Sequence, residues 1–595
     1  MSRSAYPHGE LFDPAAHRAE LLPILRAIEA LEQVDESSLD AILRRHPRDG
    51  KGFFSRAELI AGFRHFASVE GFETAEDAFV RRLLMRPIRT QSGVTPLTVL
   101  TKPFACPGRC IFCPNDVRMP KSYLSAEPGA QRAANNRFDP YLQTWNRLEA
   151  YHAIGHPTEK IELIVLGGTW SFYPEAYRVG FIAGCFRALN DFGAGRDRRA
   201  EAEKNGIDVT GLPRFVDGRR GARGVYNRTL KAWSGSREAS GSEPGWEELA
   251  ALQQQNESAG ARQVGLSVET RPDEVSLDEA ICMRKLGVTK VQIGIQSLSD
   301  AVLAANARGH DVAATRAALR QLRALGFKIH AHWMPNLLGS TPKDDVLEFD
   351  RLFDDPDFRP DELKVYPCSL IESAELMEFY ERGEWKPYSH AELLHVVGEA
   401  LVRAPRWSRL TRVIRDISSD DIVVGNKLTN FREVALAEVL RQGRVPVDIR
   451  SREVRGCAID AQALSLRETE YQTSLGREIF LEQVTTEDKI AAFLRLSLPA
   501  PNAKGVPLEI AGSAMIREVH VYGGALDLGE RNEAAAQHRG LGRALIEVAA
   551  LRAAAEGYER LAVISAVGTR AYYRKQGFAD GELYQHRTLE AGAAK

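Results

Sequence analysis

The stretch Leu97-Thr-Val-Leu-Thr101, followed shortly by Cys106-Pro-Gly-Arg-Cys110-Ile-Phe-Cys113, decides the fold. The first run is short and rich in apolar and β-branched residues, which predicts a strand. The three cysteines then stand on a loop beyond that strand's C-terminal end, where barrel-type α/β folds gather their active-site residues. Three thiolates can ligate three irons of a four-iron cluster and leave the fourth iron open to an exogenous ligand. A structural zinc would require a fourth protein ligand, and the nearest candidates, Asp116 and His152, have no finger spacing. Cys106, Cys110 and Cys113 are therefore the expected ligands of a [4Fe-4S] cluster.

Downstream, strand-sized runs recur at 161–166, 264–269, 291–295, 328–332 and 362–366, with helical stretches between them. Strands alternating with helices predict a parallel sheet. Upstream, residues 14–86 place Leu21, Ile24, Leu25, Ile28 and Leu31 near a 3.6-residue period, which predicts helices. Residues 193–263 are rich in Gly, Ser, Arg and Glu and read as a mobile insertion without chemistry of its own. From about residue 478 a strand at 515–522, a glycine-rich turn and a helix predict a separate domain. A chain of 595 residues has room for three or four domains at about 150 residues each. The expected division is a helical region at 1–90, a barrel-type domain at 91–400, an arginine-rich linker at 401–475 and a mixed α/β domain at 476–595. The fold class is multidomain α/β.

Hydrophobic residues at 44% and charged residues at 27% are globular values, which excludes a disordered or fibrous chain. No apolar run approaches the roughly 20 residues of a bilayer span, and the N-terminus lacks the apolar core of a secretory signal. The expected location is the cytoplasm, without a membrane partner. Seven cysteines, three crowded and Cys185, Cys282, Cys368 and Cys457 single, argue against a disulfide framework. The single ones read as small buried hydrophobes. A net charge of −2 excludes a uniformly basic nucleic-acid binder, so any such surface is local. Two stretches qualify: Arg44, Arg45, Arg48, Lys51, Arg56 and Arg64, and the arginine-rich residues 403–455.

Near the C-terminus, Gln537, His538, Arg539, Gly540, Leu541 and Gly542 form a Q-x-x-G-x-G run expected to open an alanine- and leucine-rich helix over 543–556. Glycines at a helix N-terminus let backbone N–H groups face a pyrophosphate, where the helix dipole favours anions. A strand at 561–565 and a helix ending at Gly577 follow. The set resembles the acetyl-CoA site of GNAT acetyltransferases. In that resemblance Tyr572 or Tyr573 contacts the thiol or thioester, to which a phenol can donate a hydrogen bond or proton.

The C-x3-C-x2-C spacing in turn resembles the signature of radical S-adenosylmethionine (radical SAM) enzymes. Gly167, Gly168 and Thr169, one strand further on, look like that superfamily's glycine motif, whose backbone approaches the methionine part of the cofactor. The resemblance implies S-adenosylmethionine as cofactor and a 5′-deoxyadenosyl radical. Both signatures in this order resemble the catalytic subunit of Elongator, here as a bacterial-type member. Matching stretches include Val165-Leu-Gly-Gly-Thr169, Val268-Glu-Thr-Arg-Pro-Asp273, Arg308-Gly-His310, His332-Trp-Met-Pro335, Lys364-Val-Tyr-Pro367 and Arg517-Glu-Val-His-Val-Tyr-Gly523. The resemblance implies C5-carboxymethylation of the tRNA wobble uridine, with acetyl-CoA as two-carbon source and hydrolysis releasing CoA. It also implies acetyl-CoA contacts at Lys160, at Glu518, Val519, His520 and Val521, at Gln537 to Gly540 and at Tyr573. The implied partners are the tRNA anticodon arm, held by the helical N-terminus and residues 403–455, and an electron donor for the cluster, with room for a homodimer.

Three departures stand out. Asn115 and Asp116 follow Pro114 where the family usually has two glycines, Asn336 replaces a usual glycine, and Pro446 stands where many members place a cysteine of a structural zinc site, which argues against that zinc. Two other functions fit parts of the pattern: a protein lysine acetyltransferase with a structural cluster, and a non-catalytic tRNA-binding scaffold. Cleavage of S-adenosylmethionine on cluster reduction separates the first, and hydrolysis of acetyl-CoA the second.

Overall fold

The computed structural model describes residues 12–31, 34–48, 52–84, 92–204, 206–209, 211–212, 225–234, 245–415, 417–454, 463–522 and 533–590. Its N-terminal part is a bundle of four α-helices, Arg18–Glu29, Glu36–Arg45, Arg56–Phe66 and Glu76–Leu83. Asp35 with Ser38, and Ser55 with Glu58, form capping boxes that satisfy the first N–H groups of the second and third helices. Leu21, Ile24 and Leu25 pack on Leu59, Phe63 and Phe79, with the Phe63 and Phe79 rings stacked at 3.8 Å.

The central part contains β1 (Thr95–Leu100), β2 (Lys160–Leu166), β3 (Arg262–Thr270), β4 (Lys290–Gln296), β5 (Lys328–Trp333), β6 (Glu362–Val365), β7 (Leu370–Ile371), β8 (Arg409–Val413) and β9 (Ile422–Val424). A seven-stranded parallel sheet runs in the order β1-β2-β3-β4-β5-β6-β8, while β7 and β9 form a small antiparallel ribbon. Because strand side chains alternate in direction, Val291, Ile293, Ile329, Ala331 and Leu363 bury themselves in the core shared with the covering helices. Glu162, Lys290, Gln292, Lys328, His330, His332, Glu362 and Lys364 occupy the alternate positions and meet one another across the sheet's other face. Contacts there skip a strand: Lys290 of β4 pairs with Glu162 of β2 and lies 3.5 Å from Glu362 of β6. Such reach requires a concave face, so the sheet is an open half-barrel with a polar lumen.

The C-terminal part adds β10 (Ser465–Thr473), β11 (Gly476–Val484), β12 (Ile490–Pro499), β13 (Ala514–Val521), β14 (Arg560–Val563), β15 (Ala579–Asp580) and β16 (Gln585–Thr588). They form a mixed sheet in the order β10-β11-β12-β13-β14-β16-β15. β13 and β14 are its parallel pair, and they pair only over Ala514–Ile516 and Leu561–Val563. β13 then continues to Val521 away from β14, so the two strands splay. Leu545, Ile546, Ala549 and Ala553 of the helix Glu533–Ala555 cover one face. On the other, Phe480, Phe493, Met515 and Ile564 join the core of the half-barrel.

Three expectations change. The arginine-rich linker expected at 401–475 supplies β8, the seventh strand of the parallel sheet, because a half-barrel edge needs a partner for β6. The insertion expected at 193–263 to be mobile holds the helices Arg199–Ala202, Val225–Ser234 and Trp246–Asn256 and the start of β3. Asn256 of the last helix is buried and accepts from the Gln263 N–H at 2.8 Å, which pins the strand's entry. Most arginines of 403–455 are spent inside the chain: Arg403 and Arg444 on Glu399, Arg406 and Arg452 on Glu482 and Asp488, Arg409 on Glu453, and Arg415 on Glu127. Arg44 and Arg45 of the helical bundle are exposed; Lys51 and Arg455 lie outside the described residues. No described helix is long and apolar enough to cross a membrane.

Candidate active site

The cysteine loop leaves the C-terminal end of β1 as expected. Cys106, Cys110 and Cys113 are free thiols, and the Cys113 N–H donates to the Cys110 carbonyl at 3.2 Å, closing a tight turn. Asn227 brackets Cys106: its Oδ1 accepts from the Cys106 N–H at 3.0 Å, and its Nδ2 donates to the Cys106 carbonyl at 2.8 Å. Burial pushes the Cys113 thiol up to about 11, so it carries a proton until a metal displaces it. Among the described residues no three His, Cys, Asp or Glu side chains converge as ligands of a single ion. Three sulfurs that each take a different iron of a cluster do not need to converge.

The glycine motif stands beside this loop. Thr169 Oγ1 is 3.8 Å from Cys106 Sγ. Gly167 and Gly168 have φ of +116° and +73°, and a Cβ on Gly167 would lie 2.4 Å from Thr101 Oγ1. At Gly167 only glycine fits, while at Gly168 there is room for a side chain but the left-handed backbone favours glycine. Two buried arginines complete the surroundings. Arg308 Nη1 donates to Cys110 Sγ at 3.4 Å. Arg271 Nη1 is buried without a partner, and a Cβ on Gly108 would meet it at 2.1 Å. Three thiols outside any disulfide, a side-chain-free cradle and an orphaned guanidinium N–H against the loop fit an anionic iron–sulfur cluster with S-adenosylmethionine beside it.

Two of the departures from the family pattern have structural explanations. Asn336 has φ of +67°, a left-handed conformation that asparagine tolerates where a glycine is usual; its N–H donates to Asp345 Oδ2 at 2.7 Å. Asn115 donates from Nδ2 to the Ser373 carbonyl at 3.0 Å and so ties the cysteine loop to the segment after β7.

The lumen beneath the loop is lined by groups from several strands. Tyr123 donates to Glu269 Oε2 at 3.0 Å. Lys364 Nζ is 2.5 Å from Gln292 Oε1, and His332 Nε2 is 3.2 Å from the same oxygen. Burial lowers the Lys364 pKa to about 8 and keeps His332 neutral by holding its pKa well below the ordinary histidine value.

At the opposite end of the strands the mixed sheet docks. Glu518 of β13 pairs with Lys328 at the start of β5 and with Arg495 at 2.9 Å. Arg517 lies between Asp361 at 2.6 Å and Glu478 at 2.8 Å, all with side chains shut off from solvent. Val519 and Val521, one residue out of step with Glu518, turn the other way and pack against the core under the helix Glu533–Ala555. A Cβ on Gly542 would meet Tyr572 Oη at 2.9 Å, Val521 Cγ2 at 3.6 Å and Val519 Cγ1 at 3.9 Å. His520 stacks on Phe493 at 5.6 Å, and burial lowers its pKa to about 4. Tyr573 is buried against Tyr572 and Phe578; burial, then Tyr572 and Glu518, raise its pKa and keep the phenol protonated. Lys160 is exposed at the start of β2, in register with Arg262, whose Cβ is 2.7 Å from a Cβ built on Gly568. It therefore belongs to this end and not to the cysteine end.

The run Gln537 to Gly542 differs from expectation. The helix starts at Glu533, so Gly540, Leu541 and Gly542 lie within it and not in a turn ahead of it. The preceding Ala534, Ala535 and Ala536 are the best helix formers and extend it backwards. The side chains of Gln537, His538 and Arg539 lie outside the described residues, as does Cys457. Arg271, Arg308, Glu269 and Lys364 were visible in the sequence only as members of matching stretches, and Asn227 had no signal, since its partner is 121 residues away.

The radical SAM C-terminal domain family matches residues 360–441. A tRNA uridine(34) acetyltransferase of Methanocaldococcus jannaschii is 36% identical over 564 residues, covering 92% of each chain. Elongator complex protein 3 of Homo sapiens is 32% identical over 514 residues, covering 84% of each. The solved structure of Methanocaldococcus infernus Elp3 lacking its N-terminus superposes with a TM-score of 0.65 at 32% identity, covering 84% of this chain and all of that one. With a half-barrel carrying the three-cysteine loop at one end and a splayed mixed sheet at the other, the chain belongs to the Elongator complex protein 3 family of radical SAM tRNA uridine(34) acetyltransferases.

Proposed function

We propose that this chain modifies the wobble uridine of tRNA by building a carboxymethyl group at C5 from the acetyl group of acetyl-CoA. The observation that carries the reading is the Glu518–Lys328 pair: a residue of the splayed acetyl-CoA strand is joined to the floor of the lumen whose roof is the cysteine loop. The pair ties the mixed sheet to the polar lumen of the half-barrel.

In this reading Cys106, Cys110 and Cys113 hold the cluster, and Gly167, Gly168 and Thr169 admit the methionine part of S-adenosylmethionine. A reduced cluster with S-adenosylmethionine held there would supply radical chemistry strong enough to take a hydrogen from an acetyl methyl group. Glu269, Gln292 and Lys364 offer acceptors and a donor to the edge of a uracil splayed out of the anticodon loop, which single-stranded loops permit cheaply. Val519 to Val521, which among the described residues have no strand partner on the side where β13 leaves β14, offer backbone groups to the pantetheine arm, as an added strand would be held. Gly542 keeps the helix close to that strand. The protonated Tyr573 phenol is suited to donate to the thioester as CoA leaves. The exposed Arg44 and Arg45 are suited to phosphates of the tRNA arm.

The test is anaerobic reconstitution with iron and sulfide, followed by reductant, S-adenosylmethionine, acetyl-CoA and unmodified tRNA, with mass spectrometry of the wobble nucleoside. A carboxymethyl mass on uridine that disappears in Cys110→Ala supports the reading. A loaded cluster and bound tRNA without that product refute it.

A further inference from the structure

The stretches 268–273 and 308–310 bring two guanidinium groups to the cysteine loop that the proposed reaction leaves without a task. Arg271 is 4% exposed and Arg308 6% exposed. Buried cations are ordinarily neutralised by a carboxylate. Arg271 has one, a two-pronged pair with Asp273 at 2.9 and 2.7 Å. Arg308 forms no ion pair with a carboxylate among the described residues: Nη2 donates to the Gly294 carbonyl at 2.6 Å and Nη1 to Cys110 Sγ at 3.4 Å. The group able to carry its counter-charge is the thiolate, with whatever that thiolate ligates. Nearby His310 adds no charge, since burial together with Arg308 and Arg271 lowers its pKa to about 3.

We propose that Arg308 and Arg271, the latter tempered by Asp273, are positioning residues that set the reduction potential of the iron–sulfur cluster. The inference rests on the assignment of Cys106, Cys110 and Cys113 as ligands. Reduction by a low-potential one-electron donor adds one negative charge to the cluster and makes or breaks no bond. An N–H···S hydrogen bond and a buried cation both stabilise that added charge, and so raise the potential. Arg308 supplies both at Cys110. Arg271 supplies a cation whose effect is partly cancelled by Asp273, with its orphaned Nη1 against Gly108.

The opposed signs make the test. Arg308→Gln removes the charge and keeps a possible donor; its cluster is expected to be harder to reduce by at least tenfold in the reduction equilibrium, a shift of about 59 mV to more negative values for a one-electron couple. Arg308→Lys should restore most of that shift. Asp273→Asn unmasks Arg271 and should move the potential the other way. The measurement is an anaerobic titration of the reconstituted full chain with dithionite and mediators, followed by electron paramagnetic resonance, with iron and sulfide counted in each sample. Opposite shifts in Arg308→Gln and Asp273→Asn support the proposal. Loaded variants that titrate with the wild type overturn it. If Arg308→Gln takes up no iron, Asp273→Asn decides: an upward shift supports, no shift overturns. A wild-type chain that takes up no iron refutes the ligand assignment itself, and the inference with it.

Discussion

Replacing Arg517 by methionine strikes the joint between the half-barrel and the mixed sheet. The guanidinium donates to both oxygens of Asp361, at 3.0 and 2.6 Å, to both oxygens of Glu478, at 2.9 and 2.8 Å, and to the Phe327 carbonyl at 2.5 Å. Methionine keeps much of the apolar stem but strands two carboxylates with no access to solvent. Breaking a buried pair by removing one partner costs about 3–5 kcal/mol. Arg323 still reaches Glu478 at 2.9 Å, and Arg495 lies 3.6 Å from Asp361, so the loss should fall near the lower end, about 3 kcal/mol. Trp407 is a built-in reporter: it stacks at 4.2 Å on Tyr471, which donates to Glu478 at 2.7 Å. Urea unfolding followed by tryptophan fluorescence at neutral pH measures the loss.

The pH dependence gives a second, independent reading of the same joint. Burial alone would raise the Asp361 pKa, but Arg517, Arg495 and Arg323 outweigh it and hold the carboxyl well below the usual range. A folded pKa below the unfolded one stabilises above the unfolded value, about 4, and that contribution is lost as pH falls further. Arg517→Met lacks most of it, so the gap from wild type should narrow in acid. Adding Asp361→Asn removes one stranded charge and should recover about 1 kcal/mol or more. An Arg517→Met variant within about 0.5 kcal/mol of wild type, the range of an ordinary surface change, would refute the reasoning. So would a double variant weaker than the single one.

Gly167→Ala should abolish S-adenosylmethionine binding by equilibrium dialysis on the loaded protein, since its Cβ would sit 2.4 Å from Thr101 Oγ1. Gly168→Ala, with its nearest atom at 3.6 Å, pays only the left-handed backbone, about 1–2 kcal/mol, and should bind roughly tenfold more weakly. Tyr573→Phe should lower acetyl-CoA hydrolysis about a hundredfold, the scale of a lost proton donor. Tyr572→Phe, whose Oη packs on Gly542 at the helix wall, should act mainly on the KM for acetyl-CoA. Lys364, with its pKa lowered to about 8 by burial, loses its charge as pH rises through that value. Carboxymethylation should therefore fall above about pH 8 in the wild type, and the falling limb should move upward in Lys364→Arg, whose guanidinium stays charged.

Features encoded over a few neighbouring residues were legible without a structure. The strand before the cysteines, the later strands, the N-terminal helices and the glycine pair follow from periodicity and from residue types that tolerate unusual backbone, and the two short signatures are local chemistry. Tertiary structure decided everything that depends on where distant residues meet. It placed the cysteine loop and β13 at opposite ends of one lumen, and it turned β8, within an apparent linker, into the seventh strand. It also spent most of the described arginines of 403–455 on partners such as Glu127 and Asp488. Arg308 meets Cys110 across 198 positions, and Lys328 meets Glu518 across 190. A sequence states which charges exist; the curl of the sheet decides which of them are forced together out of water, and only there does a charge need a partner strongly enough to shape a site.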